Sequence, residues 1–152
     1  MGLRNVLNSA VAALSLGTGA VSAQDLVLMV GNEAYRNFNP VSNARAVLGA
    51  ASAFEAAGYQ VIEVADATES QMKSALDQVE RLHGDADRVV VVLPGQFMKT
   101  KSSTWFAPTD LQSPSLANVG FDALPLSAVL SYLGEKPGGA ALFLADEAGG
   151  AP

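Results

Sequence analysis

The sequence contains no cysteine and a single histidine, His83. Without cysteine the chain cannot form disulfides, present a thiolate nucleophile or bind a metal through sulfur. One imidazole cannot supply the histidine pair that many zinc sites use. The sequence therefore predicts no cofactor, and His83, near the end of a predicted helix, is interpreted as a structural residue.

Basic residues are also few, with nine Lys and Arg against fifteen Asp and Glu and a net charge of −6. They are scattered, and the nearest pair, Lys99 and Lys101, is interpreted as part of an exposed loop. Nucleic acid is an unlikely partner by this criterion, because neutralising its phosphates requires clustered positive charge.

Residues 1–23 differ in character from the rest of the chain. Arg4 is followed by a mostly small and apolar stretch that ends at Val21-Ser-Ala23. This pattern predicts a secretory signal peptide cleaved after Ala23, and hence a periplasmic or secreted protein. The alternative is an N-terminal helix of the fold. Polar residues and glycines interrupt the stretch, so it is too weak for a membrane span, and the mature chain is expected to have no transmembrane segment. Removal of Arg4 would change the net charge from −6 to −7.

Four short apolar runs, at 25–30, 59–64, 88–93 and 140–145, predict β-strands. The third contains four consecutive valines, which is typical of a central strand covered on both faces. Helical spacing of apolar residues predicts helices over about 42–57, 68–83 and 125–133. A capping box, Thr68–Gln71, opens the second helix, and Gly58 is a predicted left-handed cap of the first. Residues 98–120 are less regular, with a short strand possible near Trp105.

Alternating strands and helices predict an α/β domain with a mainly parallel sheet of about four strands and helices on both faces. Ligands of such sheets bind at the carboxyl ends of the strands. Asn32, Gln96, Asp146 and Glu147 follow predicted strands, and we expect them around one crevice as candidate binding residues. The fourth-strand edge is left open, which indicates a truncated domain or an edge that pairs with the same or another chain.

The order of several segments resembles the large-subunit part of the caspase-like cysteine peptidases, especially the bacterial caspase-like and metacaspase branch. Leu28–Tyr35 is similar to the first strand of that family, which continues as Gly-Asn-x-x-Tyr. Ala57–Val61, Trp105–Asp110 and Ala123–Leu126 are similar to later segments. The resemblance covers about residues 26–147, and implies a three-layer caspase-like fold over 24–152 with strand order 2-1-3-4.

The positions that carry catalysis in that family are replaced here. The family has a Gly-His-Gly turn after its third strand, where this chain reads Gly95-Gln96-Phe97. Its Asp-Ala-Cys segment corresponds to Ala145–Ala148, so that Glu147 or Ala148 takes the cysteine position. An amide and a carboxylate do not supply the thiolate and imidazole of this chemistry. The resemblance therefore implies no catalytic residues and an inactive member.

Three functional hypotheses follow from these observations. The first is an exported, non-catalytic caspase-fold domain that binds a protein or peptide. The second is an enzyme with relocated carboxylate- or metal-assisted hydrolase chemistry, in which Asp146 and Glu147 could join Asp110 or Asp122 around a hard cation. The third is a structural half-domain completed by a partner.

Overall fold

The computed structural model describes residues 24–146. The predicted signal peptide, residues 1–23, and the candidate positions Glu147 and Ala148 lie outside the described residues. The strands are β1 Asp25–Gly31, β2 Tyr59–Ala65, β3 Val89–Pro94, β4 Phe97–Lys99, β5 Thr104–Phe106, β6 Leu124–Pro125 and β7 Ala140–Ala145. The α-helices are α1 Ala51–Ala56, α2 Glu69–His83, α3 Leu116–Asp122 and α4 Leu126–Gly134, and a 3₁₀ helix, Ala44–Ala50, directly precedes α1.

The main sheet has four parallel strands in the order β2-β1-β3-β7. This confirms the predicted α/β class, the mainly parallel sheet and the strand order, since β7 is the fourth strand of this sheet. β1 and β3 occupy the centre and are buried along almost their whole length. The four valines of β3 thus lie where the apolar run predicts, in a strand that is covered on both sides.

Alternate side chains of the central strands face two different helical layers. Leu28 and Val91 belong to one core with residues of α2 and α4. Met29 and Val92 belong to a second core with residues of the 3₁₀ helix and α1. Because successive strand residues point to opposite faces, helices are needed on both, and the predicted helix–sheet–helix layering is confirmed.

The helix predicted over about 42–57 is present but is not uniform. Its first seven residues form the 3₁₀ helix, and only Ala51–Ala56 are α-helical. Asn43 precedes it with a φ of 62° and gives no side-chain cap, and no acidic residue lies in the first turn. By contrast, α2 begins with both hydrogen bonds of the predicted capping box, Thr68 with Gln71. Gly58, with a φ of 90°, is left-handed as predicted.

Residues 97–125 contain more regular structure than the sequence indicated. β4 and β5 form an antiparallel hairpin, and β6 adds a third short strand. Ser115 caps the start of α3, and its side chain accepts a hydrogen bond from the Asn118 N–H. The short strand expected near Trp105 is confirmed in β5. α3 was not predicted, and of its large apolar side chains only Val119 is buried, while Leu116 and Phe121 are exposed. Within residues 24–146, no helix is both long and apolar enough to cross a membrane.

Candidate functional site

The carboxyl ends of the four parallel strands meet at one edge of the sheet. Backbone hydrogen bonds run from the Asn32 N–H to the Pro94 carbonyl at 3.0 Å and from the Gly95 N–H to the Ala145 carbonyl at 2.9 Å. Asn32, Gln96 and Asp146 follow neighbouring strands there, so the structure brings these three predicted residues to one edge of the sheet.

Asn32 is fully buried at this edge, and both the nitrogen and the oxygen of its side-chain amide make hydrogen bonds. Its Nδ2 donates to the Ala107 carbonyl at 3.0 Å, and its Oδ1 accepts from the Ala67 N–H at 2.7 Å. These bonds join the end of β1 to the segment after β2 and to the segment after β5. Asn32 thus holds three loops together, while its predicted role in binding a ligand stays a prediction.

Asp66 also holds the loop after β1, and the sequence analysis did not identify it as a candidate. The residue adopts a left-handed φ of 49°, a conformation that Asp tolerates better than most residues. Its Oδ1 accepts from the N–H groups of Glu33 and Ala34, both at 2.8 Å. Arg45 lies 3.3 Å from carboxylate oxygens of both Asp66 and Glu33. An acidic residue directly after a strand is the one signal that could have identified this position.

Tyr35 fills the space between the ends of β1 and β3. Its hydroxyl accepts from the Gln96 N–H at 2.8 Å and donates to the Ala107 carbonyl at 3.2 Å. Gly95 makes room for it, because a Cβ there would lie 2.7 Å from the Tyr35 hydroxyl and 2.7 Å from the Phe106 ring. This part of the predicted crevice is therefore packed with protein side chains.

Burial raises the pKa of the Tyr35 phenol well above its ordinary value, and nearby Asp146 and Asp66 act in the same direction. A tyrosine in the unfolded chain has a pKa of about 10. The folded state therefore binds the phenolic proton more tightly, and this part of its stability is present below about pH 10 and is lost as the pH rises further.

Tyr35→Phe is expected to lower the free energy of unfolding at pH 7 by about 1.5 kcal/mol, because two hydrogen bonds disappear. The difference from the unmodified protein should shrink above about pH 10. Urea unfolding at several pH values measures both effects. Tyr59→Phe is the control, since the Tyr59 hydroxyl has no hydrogen-bond partner within residues 24–146. A difference that stays constant up to the alkaline limit would contradict this role of Tyr35.

Gln96 and Asp146 remain closer to the surface. The Gln96 Nε2 donates to the Asn39 carbonyl at 2.6 Å, which ties the loop after β1 to the end of β3. Asp146 is exposed and lies 3.9 Å from the Nζ of Lys99. Of the residues predicted to bind a ligand, Asp146 has the most accessible side chain among those described.

The described carboxylates at this edge do not form a metal site. Within residues 24–146 no three His, Cys, Asp or Glu side chains lie close enough to hold an ion. The Asp110 Oδ1 instead accepts from the Glu69 N–H at the start of α2, at 2.9 Å. Asp122, also named in that hypothesis, is the last residue of α3, and Glu147 lies beyond the described residues.

His83 lies at the end of α2, and α2 runs from the carboxyl end of β2 back towards the start of β3. The imidazole is therefore at the opposite end of the sheet from Gln96. Its Nε2 is 2.9 Å from a Glu135 carboxylate oxygen, and its ring packs edge-on against Tyr132. The chain has no second imidazole.

The chain was also compared with known proteins. No protein-family model matches it, and no curated protein matches it. The chemistry of this domain must accordingly be argued from its own residues.

The outer edge of β7 is the most apolar surface next to the strand ends. Phe143 is 58% exposed and Leu144 is 44% exposed. They are adjacent, so they point to opposite faces of the sheet. Among the described strands β7 pairs only with β3, which leaves its other side without a neighbour. The sequence predicted this open edge, but not that both large side chains would be accessible.

Proposed function

We propose that this chain is a non-catalytic domain that binds an extended segment of a partner protein along β7. The observation that carries the proposal is the exposure of Phe143 and Leu144 on a strand whose outer side has no partner in residues 24–146. Unpaired N–H and C=O groups of an edge strand can form a ladder with an added strand, and exposed side chains then select its sequence.

The sequence of β7 supports binding rather than protection of the edge. Soluble proteins usually guard an edge strand with Lys, Pro, an inward-pointing charge or a bulge. β7 reads Ala-Ala-Leu-Phe-Leu-Ala and contains no charged residue and no proline. Its pairing with β3 is regular over six residue pairs, from Ala140 to Ala145. An apolar peptide in extended conformation is therefore the partner that fits this strand.

The absence of catalysis is part of the same proposal. The chain has no thiol, and its one imidazole, His83, is at the far end of the sheet from the strand ends. The Gln96 amide cannot act as an acid or a base near neutral pH. The resemblance to caspase-like peptidases would make this an inactive relative of that family. Export to the periplasm or the exterior is inferred from residues 1–23 alone.

Selection of short peptides from a random displayed library on the purified chain tests the proposal. We expect binders rich in β-branched and aromatic residues, because an added strand must pack beside Phe143 and Leu144. Phe143→Lys should lower the affinity for the selected peptides by at least about tenfold, since it places a charge at the centre of the contact. Titration of a labelled peptide by fluorescence anisotropy measures the change.

Phe121→Lys is the matched control. Phe121 is 83% exposed on α3, outside the main sheet, so the same substitution should leave peptide affinity unchanged. The β7 edge would be excluded as the binding surface if both variants lost peptide affinity equally, or if Phe143→Lys left the affinity of the selected peptides unchanged. The same protein should not cleave basic- or acidic-site reporter peptides, and turnover lost on Gln96→Ala would refute the non-catalytic assignment.

A further inference from the structure

A second surface, separate from β7, lies between the β4–β5 hairpin and the start of α4. It is an open concavity of about 460 Å³, which we call the hairpin pocket. One side is formed by Thr100–Trp105 and the other by Pro125–Ser127 and Leu130. Its volume falls within the range of ordinary small-ligand sites, about 300–1,000 Å³.

The charge of the hairpin pocket is opposite to that of the protein. The whole chain carries a net charge of −6, but no Asp or Glu is among the lining residues. The one ionisable lining side chain is Lys101, and it forms no salt bridge within residues 24–146. An anionic group is thus attracted by Lys101 and meets no carboxylate in the pocket itself.

The remaining lining residues offer hydrogen-bond donors and apolar contact. The hydroxyls of Ser102, Ser103 and Ser127 have no hydrogen-bond partner in the described part of the chain. Pro125, Leu126 and Leu130 add apolar surface, and Leu130 is 51% exposed. A ligand for this lining has a polar, negative end and an apolar body.

We propose that the hairpin pocket binds a carboxylate attached to an aromatic or aliphatic group, with the carboxylate at Lys101 and the apolar group against Leu126 and Leu130 of α4. A free organic acid and the C-terminal carboxylate of a peptide share this chemistry. Binding here does not depend on the β7 edge, so either surface can fail its test without affecting the other.

Trp105 provides a readout next to the pocket, because it lies on β5, which lines the pocket, and is the only tryptophan in the sequence. Its fluorescence should change in a saturable way on titration with N-acetylphenylalanine, with a Kd of about 1 mM. N-acetylphenylalaninamide, which has the same body without the charge, should bind about fivefold more weakly, the size expected of one exposed ion pair. A peptide ending in phenylalanine, with and without C-terminal amidation, distinguishes a peptide from a free acid.

Lys101→Gln should reduce the affinity for the acid to that for the amide and should leave the amide unaffected. Lys73→Gln is the matched control, since Lys73 is an exposed lysine on α2 outside the pocket. Raising the salt concentration should weaken the binding of the acid and leave the binding of the amide unchanged. The proposal is overturned if acid and amide bind equally, if Lys101→Gln leaves the preference intact, or if neither compound changes the fluorescence at about 10 mM.

Discussion

Gly31→Ala is expected to lower the free energy of unfolding by about 3 kcal/mol, which corresponds to a fall in Tm of about 10 °C for a domain of this size. Gly31 ends β1, where the first turn of the 3₁₀ helix crosses the strand. A Cβ at this position would lie 2.7 Å from the Ala44 carbonyl oxygen and 3.0 Å from the Arg45 Cα. Both are backbone atoms, so no side-chain rotation can relieve the contact, and the 3₁₀ helix must move away from the sheet.

Gly120→Ala is the matched control for this prediction. Gly120 lies within α3, and a Cβ there would meet nothing within 4 Å. Alanine is favoured over glycine inside a helix by up to about 1 kcal/mol, so this variant should be as stable as the original or slightly more stable. Thermal and urea unfolding of both variants measure the contrast. Equal stability of the two would mean that the 3₁₀ helix does not press on β1 as described.

Asn32→Leu is expected to cost a similar amount, about 3 kcal/mol, for a different reason. The substitution keeps the number and branching of the side-chain heavy atoms but leaves the Ala67 N–H without its acceptor and removes one donor from the Ala107 carbonyl. Buried backbone groups left unpaired cost about 1–3 kcal/mol each. Urea unfolding measures the loss. Asn37→Leu is the control, because Asn37 is exposed and makes a single bond to the Leu111 carbonyl.

Asn32→Asp separates the hydrogen bonds from the packing. A protonated carboxyl can donate to the Ala107 carbonyl and accept from the Ala67 N–H, as the amide does, whereas a carboxylate cannot donate. Burial should raise the pKa of the introduced carboxyl above its unfolded value of about 3.9. The variant should therefore approach the stability of the original protein near pH 4 and lose stability as the pH rises through the folded pKa. A stability difference that does not change between pH 4 and 7 would argue against the role given to Asn32.

Gly31→Ala and the Asn32 substitutions act at one junction. Packed side chains, and not an open cleft, lie there between the ends of β1, β2 and β3. Tyr35 fills the space beside Gly95, and Asp66 holds the loop after β1 through two N–H groups. This packing bears on function, because it leaves Asp146 and the β7 edge as the accessible part of the region. For that reason the proposed binding surface lies on Phe143 and Leu144.

Much of the main sheet could be predicted from the sequence, because its strands are short apolar runs. A parallel sheet covered by helices on both faces requires such strands. The four valines of β3 and the mostly apolar run 25–30 have almost no polar side chains that could face water. Their position in the buried centre of the sheet therefore follows from composition. The capping box at Thr68 is equally local: both of its hydrogen bonds involve residues three positions apart. The resemblance to caspase-like peptidases stays a prediction.

The site was less accessible to such reasoning. The sequence placed Asn32 and Gln96 at the correct edge, but the partners of Asn32 are 35 and 75 residues away in the chain. Burial of an asparagine depends on whether distant backbone groups arrive to bond it, and no local pattern reports that. The same limit explains why the hairpin pocket was not predicted, because its two sides, 100–105 and 125–130, are separate segments that only the fold brings together.

The sequence alone excludes thiolate chemistry and sites that need two imidazoles from this chain, because the absence of cysteine and the single histidine hold in any fold. It also determined the class of the fold, since the alternation of apolar runs and helical stripes is a property of neighbouring residues. Only the tertiary structure decided which side chains are consumed in holding the strand ends together and which stay accessible. That division depends on contacts between residues far apart in the chain, whose free energies appear only once the backbone has brought them within hydrogen-bond distance.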